Sequence, residues 1–204
     1  MSGEAPRLLV VGSDGPAARS LVRLAQERGA VVVVATGPLP SEEDTERAFT
    51  AAVDGASRVA GIVQVLAVPP AVARLGEWSF GEWDRAVLAG LRSAFLVARR
   101  TVEEFLAGGE GGRLVFLVAA EGPEGDTARE IVLGSLLAFV RSVAKEYGPK
   151  GIACNAVVAH PGGARDEELA SETVWMLLAP EGAYVTGEVI DLAPGRQGSA
   201  PKSR

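Results

Sequence analysis

The chain has 204 residues, a formal charge of −6 and an isoelectric point near 5.0, and its length suits one domain with a sizeable apolar core. The acidic balance argues against nucleic-acid binding. No apolar run is long enough for a membrane span or a secretory signal, so the protein is expected to be cytoplasmic. With one histidine, His160, and one cysteine, Cys154, no metal site is expected, and Cys154 is expected to be a small buried hydrophobe of a strand.

The first elements have the order strand, turn, helix, strand. Residues 7–11 form a short apolar run typical of a buried strand, and residues 31–35 predict a second buried strand. Between them, a loop over residues 12–15 leads into a helix that ends near Arg28. This order is the opening of a doubly wound nucleotide-binding fold.

The centre of the chain predicts two more strands and two long helices. Residues 61–66 and 113–119 are apolar runs typical of buried strands, and a long helix begins at Trp83. Residues 127–147 predict a second long helix, which carries apolar side chains on nearly every side. Because a helix that rests on one sheet needs only one apolar stripe, this helix is expected to be covered on two sides.

The C-terminal part predicts a buried strand after Gly148 and Pro149, a helix over residues 170–178, and a last strand. Residues 1–195 are expected to form a single domain. Residues 196–204 are polar and rich in glycine, so a disordered tail is expected there.

The run RSVAKEYGPKGIACNAV, residues 141–157, resembles the helix-to-strand passage of short-chain dehydrogenases/reductases, especially of the β-ketoacyl carrier-protein reductases. The spacing of Tyr184, Thr186 and Gly187 resembles the last turn of the same family. The resemblance implies a Rossmann-like three-layer α/β sandwich with a mostly parallel sheet. In the family's numbering of strands, the order is 2-1-4-5-6-7, with the third strand and the substrate lid missing.

In that family, proton transfer depends on an asparagine, a serine, a tyrosine and a lysine. Those four places fall on Gly90, Ala119, Arg129 and Leu133. Glycine, alanine and leucine have no group to exchange a proton, and arginine stays charged at any working pH, so no catalytic residue is expected. Arg129 is expected to be a solvated arginine of a first helical turn, with binding of an anion as the less favoured reading.

The family's glycine-rich cofactor loop is represented by Gly12, Ser13, Asp14 and Gly15. Two of the family's glycine places hold Pro16 and Ala18 instead. Proline removes an N–H that could face a pyrophosphate, and Asp14 adds a negative charge nearby. The loop is therefore interpreted as a vestigial strand-to-helix turn, and no cofactor is expected in this chain.

The resemblance further implies a non-catalytic subunit, a pseudoenzyme, that scaffolds or regulates an active ketoreductase on acyl thioesters, with NAD(P) in the active partner. The expected contacts are the helices near 83–106 and 127–147, with Leu136 and Phe139 near the centre, or with one of the two facing the sheet instead. A homodimer through the same helices is the rival assembly. The alternatives are an NAD(P)-dependent short-chain oxidoreductase with residual or atypical catalysis, and a ligand-sensing Rossmann module.

Overall fold

A computed structural model describes residues 5–53, 58–68, 74–120, 127–160 and 163–193. The strands are β1 (Arg7–Gly12), β2 (Val31–Thr36), β3 (Val59–Val68), β4 (Gly112–Ala120), β5 (Ile152–Ala159) and β6 (Val189–Asp191). The helices are α1 (Pro16–Glu27), α2 (Glu42–Val53), α3 (Phe80–Trp83), α4 (Ala89–Gly108), α5 (Thr127–Tyr147) and α6 (Ala164–Leu178). Short 3₁₀ turns lie at Leu75–Glu77, Gly148–Lys150 and Pro180–Tyr184.

The six described strands form one parallel sheet in the order β2-β1-β3-β4-β5-β6. The chain crosses from β2 over β1 to β3, so the sheet grows in both directions from β1. This is the predicted doubly wound fold, and among the described residues no strand lies between β2 and β3 in sequence. The predicted order with the third strand missing is confirmed.

Helices cover both faces of the sheet. Leu114, Phe116 and Val118 of β4 belong to a core cluster with α2, α4 and α5. Val115 and Leu117, which alternate with them along the strand, pack in a second cluster with α1 and α6. The predicted three-layer sandwich is therefore confirmed, and β4 is apolar on both faces because both are buried.

The prediction that β2 is a buried strand is wrong. β2 pairs with β1 on one side only, and it is an edge of the described sheet. Val31 and Val34 are 49% and 45% exposed. The apolar run resembles a central strand because one face packs on α1, but burial of its outer side would need another strand.

The first long helix begins earlier than Trp83. Ser79 caps α3, accepting a hydrogen bond from the Glu82 N–H at 3.3 Å, while the Glu82 carboxylate accepts from the Ser79 N–H at 2.6 Å. This reciprocal pair starts the helix at Phe80. A π-helical segment, Asp84–Leu88, then joins α3 to α4.

The expectation that α5 is covered on two sides is not met within this chain. The side of α5 that faces the sheet is buried, including Leu136, which is 2% exposed. The opposite side carries an exposed stripe that includes Glu130, Gly134 and Ala138. Leu136 therefore faces the sheet, which is the alternative expected for one of Leu136 and Phe139, and it does not lie at the centre of an interface.

Asn155 of β5 fastens the C-terminal segment to the sheet. Its side-chain Nδ2 donates to the Val185 carbonyl at 2.7 Å, and its Oδ1 accepts from the Glu188 N–H at 3.1 Å. The buried amide thereby fixes where β6 joins β5. The predicted tail at residues 196–204 lies outside the described residues.

Candidate functional site

A cleft of about 550 Å³ opens at the carboxyl ends of β1, β2 and β3. Its wall includes the loop residues Gly12, Ser13 and Asp14 on one side, and Arg85 and Gly90 from the start of the first long helix on the other. In open α/β sheets, ligands bind at this edge, where the strand order reverses. The cleft is therefore the candidate site of the molecule.

Gly12 adopts a conformation that only glycine can hold at this place. Its φ angle is +106°, and a Cβ atom built on it would lie 2.3 Å from the Val65 carbonyl oxygen of β3. The Ser13 N–H donates to that same carbonyl at 3.0 Å. Close packing of β1 against β3 thus accounts for Gly12 without any ligand.

The start of α1 has one backbone donor fewer than a helix start without proline. The helix begins at Pro16, which has no N–H to donate, and the cap residue Gly15 has no side-chain cap bond. Asp14 is exposed and lies 3.5 Å from Arg19, whose guanidinium also donates to the Asp14 carbonyl at 2.8 Å. The positive charge nearest this helix start is thus engaged with the loop itself.

The four residues at the family's catalytic places do not form one catalytic group. Gly90 lines the cleft, and a Cβ atom added to it would touch nothing within 4 Å. Ala119 lies near the end of β4, in register with Ala67 and Ala159 of its neighbours. Leu133 packs against the core on the α5 side.

Arg129 is buried, being 4% exposed, so the expectation of a solvated first-turn arginine is wrong. Its Nη2 lies 3.2 Å from Nδ1 of His160, directly after β5, and His160 Nε2 lies 2.5 Å from Oδ1 of Asp191 in β6. The same carboxylate oxygen accepts from the Ala193 N–H at 3.0 Å. A helix start and two strand ends are thus joined by a chain of polar side chains.

The direction of these bonds follows from the donors. A guanidinium can only donate, so His160 Nδ1 accepts, and the ring carries its proton on Nε2, which donates to Asp191. Both nitrogens of the ring are engaged within the protein, which leaves neither for a proton exchange with a substrate.

Sequence reasoning missed the roles of His160 and Asp191. His160 was considered only as a metal ligand, although it follows the last residue of β5. The register pairs Val158 of β5 with Asp191 of β6, so the two side chains come from adjacent strand ends. The position of each after an apolar strand was the available signal.

A second buried polar contact adjoins the cleft. Gln64 of β3 is fully buried, and its Nε2 donates to Oγ of Ser93 at 2.7 Å. Ser93 lines the cleft, whereas Gln64 Oε1 accepts no hydrogen bond from a described residue. An unpaired buried amide oxygen costs about 1–3 kcal/mol, so this site is less stable than an apolar equivalent.

Cys154 is buried within β5, as predicted, and burial raises the pKa of its thiol to about 12. In the described part of the chain, no cluster of three or more histidine, cysteine, aspartate or glutamate side chains is placed to hold a metal ion. The helices described are all too short or too polar to cross a bilayer.

Comparisons with known proteins agree with this fold. A family model described as enoyl-(acyl carrier protein) reductase matches residues 6–165. The short-chain reductase protein NovJ of Streptomyces niveus is 29% identical over 96% of this chain and 95% of its own. The (3R)-3-hydroxyacyl-CoA dehydrogenase of Rattus norvegicus is 23% identical over 56% of this chain and 54% of its own.

Solved structures share the fold at low identity. A 3-ketoacyl-(acyl-carrier-protein) reductase from Brucella melitensis, complexed with NADH, superposes with a TM-score of 0.81 at 16% identity, over 93% of this chain and 97% of that one. A short-chain dehydrogenase/reductase mutant from Serratia marcescens gives a TM-score of 0.76 at 20% identity, over 92% and 95%. These likenesses concern the architecture alone.

Proposed function

The chain belongs to the short-chain dehydrogenase/reductase family, and we propose that within this family it is a non-catalytic subunit that scaffolds or regulates an active short-chain ketoreductase in a hetero-oligomer. The active partner would carry the NAD(P) cofactor and the proton-transferring residues. This chain would supply surfaces that hold or tune that partner.

The observation that carries the proposal is the set of contacts that Arg129 makes inside the fold. It stands at the family's tyrosine place, is buried, and is bonded to His160. Because a guanidinium does not lose its proton at working pH, it cannot serve as the acid that a carbonyl reduction needs. The place of the proton donor is thus taken by a group that holds the fold together.

The cofactor loop supports the same proposal. Pro16 offers no N–H to a pyrophosphate, and Asp14 lies in the cleft with its negative charge. Like charges a few ångströms apart repel by about 4 kcal/mol at an effective dielectric constant of 20. A dinucleotide in the usual pose would meet this repulsion with one amide donor fewer to compensate it.

The substrate class of the complex is proposed from the relatives. The matching family model and the Brucella and rat relatives are named for acyl carrier protein or acyl-CoA chemistry. We therefore propose that the complex acts on acyl thioesters. This chain would act there without making or breaking bonds itself.

The surface formed by α4 and α5 is the proposed contact. Phe95 is 52% exposed on α4, and Leu106, three helical turns further on, is also exposed on that side. On α5, the small exposed residues Gly134 and Ala138 leave room for a helix to approach, and Leu133 and Leu137 beside them are half-buried. Such a surface suits a permanent partner helix.

Co-expression with an intact short-chain ketoreductase tests the proposal. The two chains are expected to co-purify in fixed stoichiometry, and the reductase is expected to turn over a β-ketoacyl thioester differently with and without this subunit. A chain that purifies alone as a stable monomer, with no reductase retained, contradicts the proposal. If the chain instead forms homodimers that bind no reductase, the result favours the rival assembly through the same helices.

The second candidate is an NAD(P)-dependent oxidoreductase with atypical catalysis. The cleft of about 550 Å³ at the strand ends favours it. Under this alternative, the isolated chain would reduce a carbonyl substrate with NAD(P)H. A ligand-sensing module would instead bind a small molecule in the cleft without turnover.

A further inference from the structure

The outer edge of β2 presents backbone groups that have no described partner. The Val31 N–H donates to the Pro6 carbonyl at 3.0 Å, and the Gly37 N–H donates to the Gly12 carbonyl at 2.9 Å. Since consecutive residues of a strand direct their backbone groups to opposite sides, the odd-numbered residues face β1. Val32, Val34 and Thr36 therefore direct N–H and C=O groups outward, where the described sheet has no further strand.

This edge lacks the usual protections against pairing. Natural edge strands carry charged side chains, proline, or a bulge, or lie under another element. β2 contains four valines, an alanine and a threonine, and its pairing with β1 runs without a shift of register. Val31 and Val34 are among the large apolar side chains exposed in the described chain.

A groove of about 230 Å³ runs beside the edge, between β2 and α1. Val34 and Val22 form part of its apolar wall, and Arg19 and Arg23 form part of its polar wall. A strand added at the edge would direct alternate side chains into this groove. The edge therefore offers hydrogen bonds and an apolar recess together.

We propose that the outer edge of β2 pairs antiparallel with the same edge of a second copy of this chain. The three outward residues are centred on Val34, so a two-fold axis beside Val34 pairs it with Val34 of the second copy. Val32 of each copy then pairs with Thr36 of the other. Every outward N–H meets a carbonyl, which is the condition for a closed isologous contact.

A second copy fits this edge for two reasons. The strand is uncharged, so self-pairing brings no like charges together within the ladder. The two exposed Val34 side chains meet on the α1 face, where the grooves of the two copies join, and each removes the other's apolar surface from water. This contact does not use the α4 and α5 surface, so the inference stands apart from the proposed function.

Two substitutions at Val34 test the pairing in the full chain. Val34→Pro removes an outward N–H without touching the bonds to β1, and proline is tolerated on edge strands. Val34→Lys places a charge beside its own copy. Both are expected to raise the dissociation constant of the pair at least tenfold, measured by sedimentation over a range of protein concentrations. Leu169→Lys, at a comparably exposed apolar position on α6, is the matched control and should leave the constant unchanged.

Hydrogen exchange supplies a readout that folding defects do not imitate. The amides of Val32, Val34 and Thr36 are expected to exchange slowly in concentrated wild-type protein and faster on dilution, while the amides of Val33 and Ala35 stay protected. Equal exchange of the three outward amides at all concentrations, with a mass that Val34→Pro does not change, overturns the proposal. Protection that appears only after a reductase is added also overturns it, because the edge would then belong to that protein.

Discussion

Nη2 of Arg129 lies 3.2 Å from Nδ1 of His160, and this one contact ties the first turn of α5 to the end of β5. Through His160, the arginine is linked to Asp191 and so to β6. Arg129, which we propose stands at the family's proton-donor place, thereby joins three elements of the structure.

The contribution of this network to stability can be measured. We expect His160→Ala to lower the free energy of unfolding by about 1–3 kcal/mol, because it leaves the buried guanidinium of Arg129 with one hydrogen bond fewer. Urea denaturation followed by circular dichroism is the measurement. Arg19→Ala, which removes only the exposed pair with Asp14, should cost under about 1 kcal/mol. Equal effects of the two substitutions would show that the network is not stabilising.

The isolated chain is expected to bind neither NADH nor NADPH with micromolar affinity. Titration calorimetry on the purified protein is the measurement, with an intact reductase as the positive control. The variant carrying Asp14→Ala and Pro16→Gly should still fail to bind, because the described sheet has no strand outside β2 to bound an adenine pocket. Micromolar binding by the wild-type chain contradicts this prediction.

Restoring the family's catalytic side chains should not create a ketoreductase. The variant Ala119→Ser, Arg129→Tyr and Leu133→Lys regains the groups for proton transfer, yet a hydride donor must also be held against the substrate. We expect no turnover of a β-ketoacyl thioester above that of the wild-type chain. Robust NADPH-dependent turnover by the triple variant would mean that the cofactor site is intact.

The α4 surface gives a sharper test of the assembly than Leu136. Phe95→Glu should release the reductase partner, because it places an unpaired carboxylate in an apolar contact at a cost of several kcal/mol. The control is Leu169→Glu, which changes a similarly exposed leucine on the opposite face of the sheet. Size exclusion with mass measurement of the co-expressed pair distinguishes them. If the Phe95→Glu variant still retains the partner, the contact lies elsewhere on the chain.

The buried thiol of Cys154 allows a prediction of how the free energy of unfolding changes in alkaline solution. Burial raises the pKa of its thiol from 9.0 to about 12. The folded state keeps the neutral thiol, so its contribution is complete below pH 9 and is lost as the pH rises from 9 towards 12. Over this window, the unfolding free energy of the wild type should fall more steeply than that of Cys154→Ala, by up to about 1.4 kcal/mol per pH unit. Parallel urea denaturation series at pH 8 and 10 check this, and identical slopes refute it.

The strand order was predictable from the resemblance to the short-chain dehydrogenase/reductase family, and the alternation of buried strands and crossover helices along the chain agrees with it. The exposure of β2 was not, since the apolar run of residues 31–35 is the same whether or not another strand lies beside it. Pairing partners decide that difference, and they are remote in sequence.

At the candidate site, the identities of the side chains follow from the sequence, whereas their surroundings were not predictable. Gly90, Ala119 and Leu133 are apolar or without a side chain wherever they lie, so their chemistry follows from their identity. The burial of Arg129 depends on His160, 31 residues away, which in turn depends on Asp191, a further 31 residues on. From the sequence alone, a charged residue in a first helical turn is expected to be solvated, because only the fold brings such remote partners to it.

The backbone at Gly12 has a consequence for how loss of cofactor binding is recognised. Alanine at this position would drive its methyl group into a neighbouring carbonyl, so substitution there should prevent the sheet from forming long before any ligand is concerned. Pro16 and Ala18 stand at the family's other two glycine places, and the sheet and α1 form without glycine there. A chain of this architecture would therefore keep the first glycine of the fingerprint whether or not it binds a nucleotide, which makes that residue a marker of strand packing and a poor guide to activity.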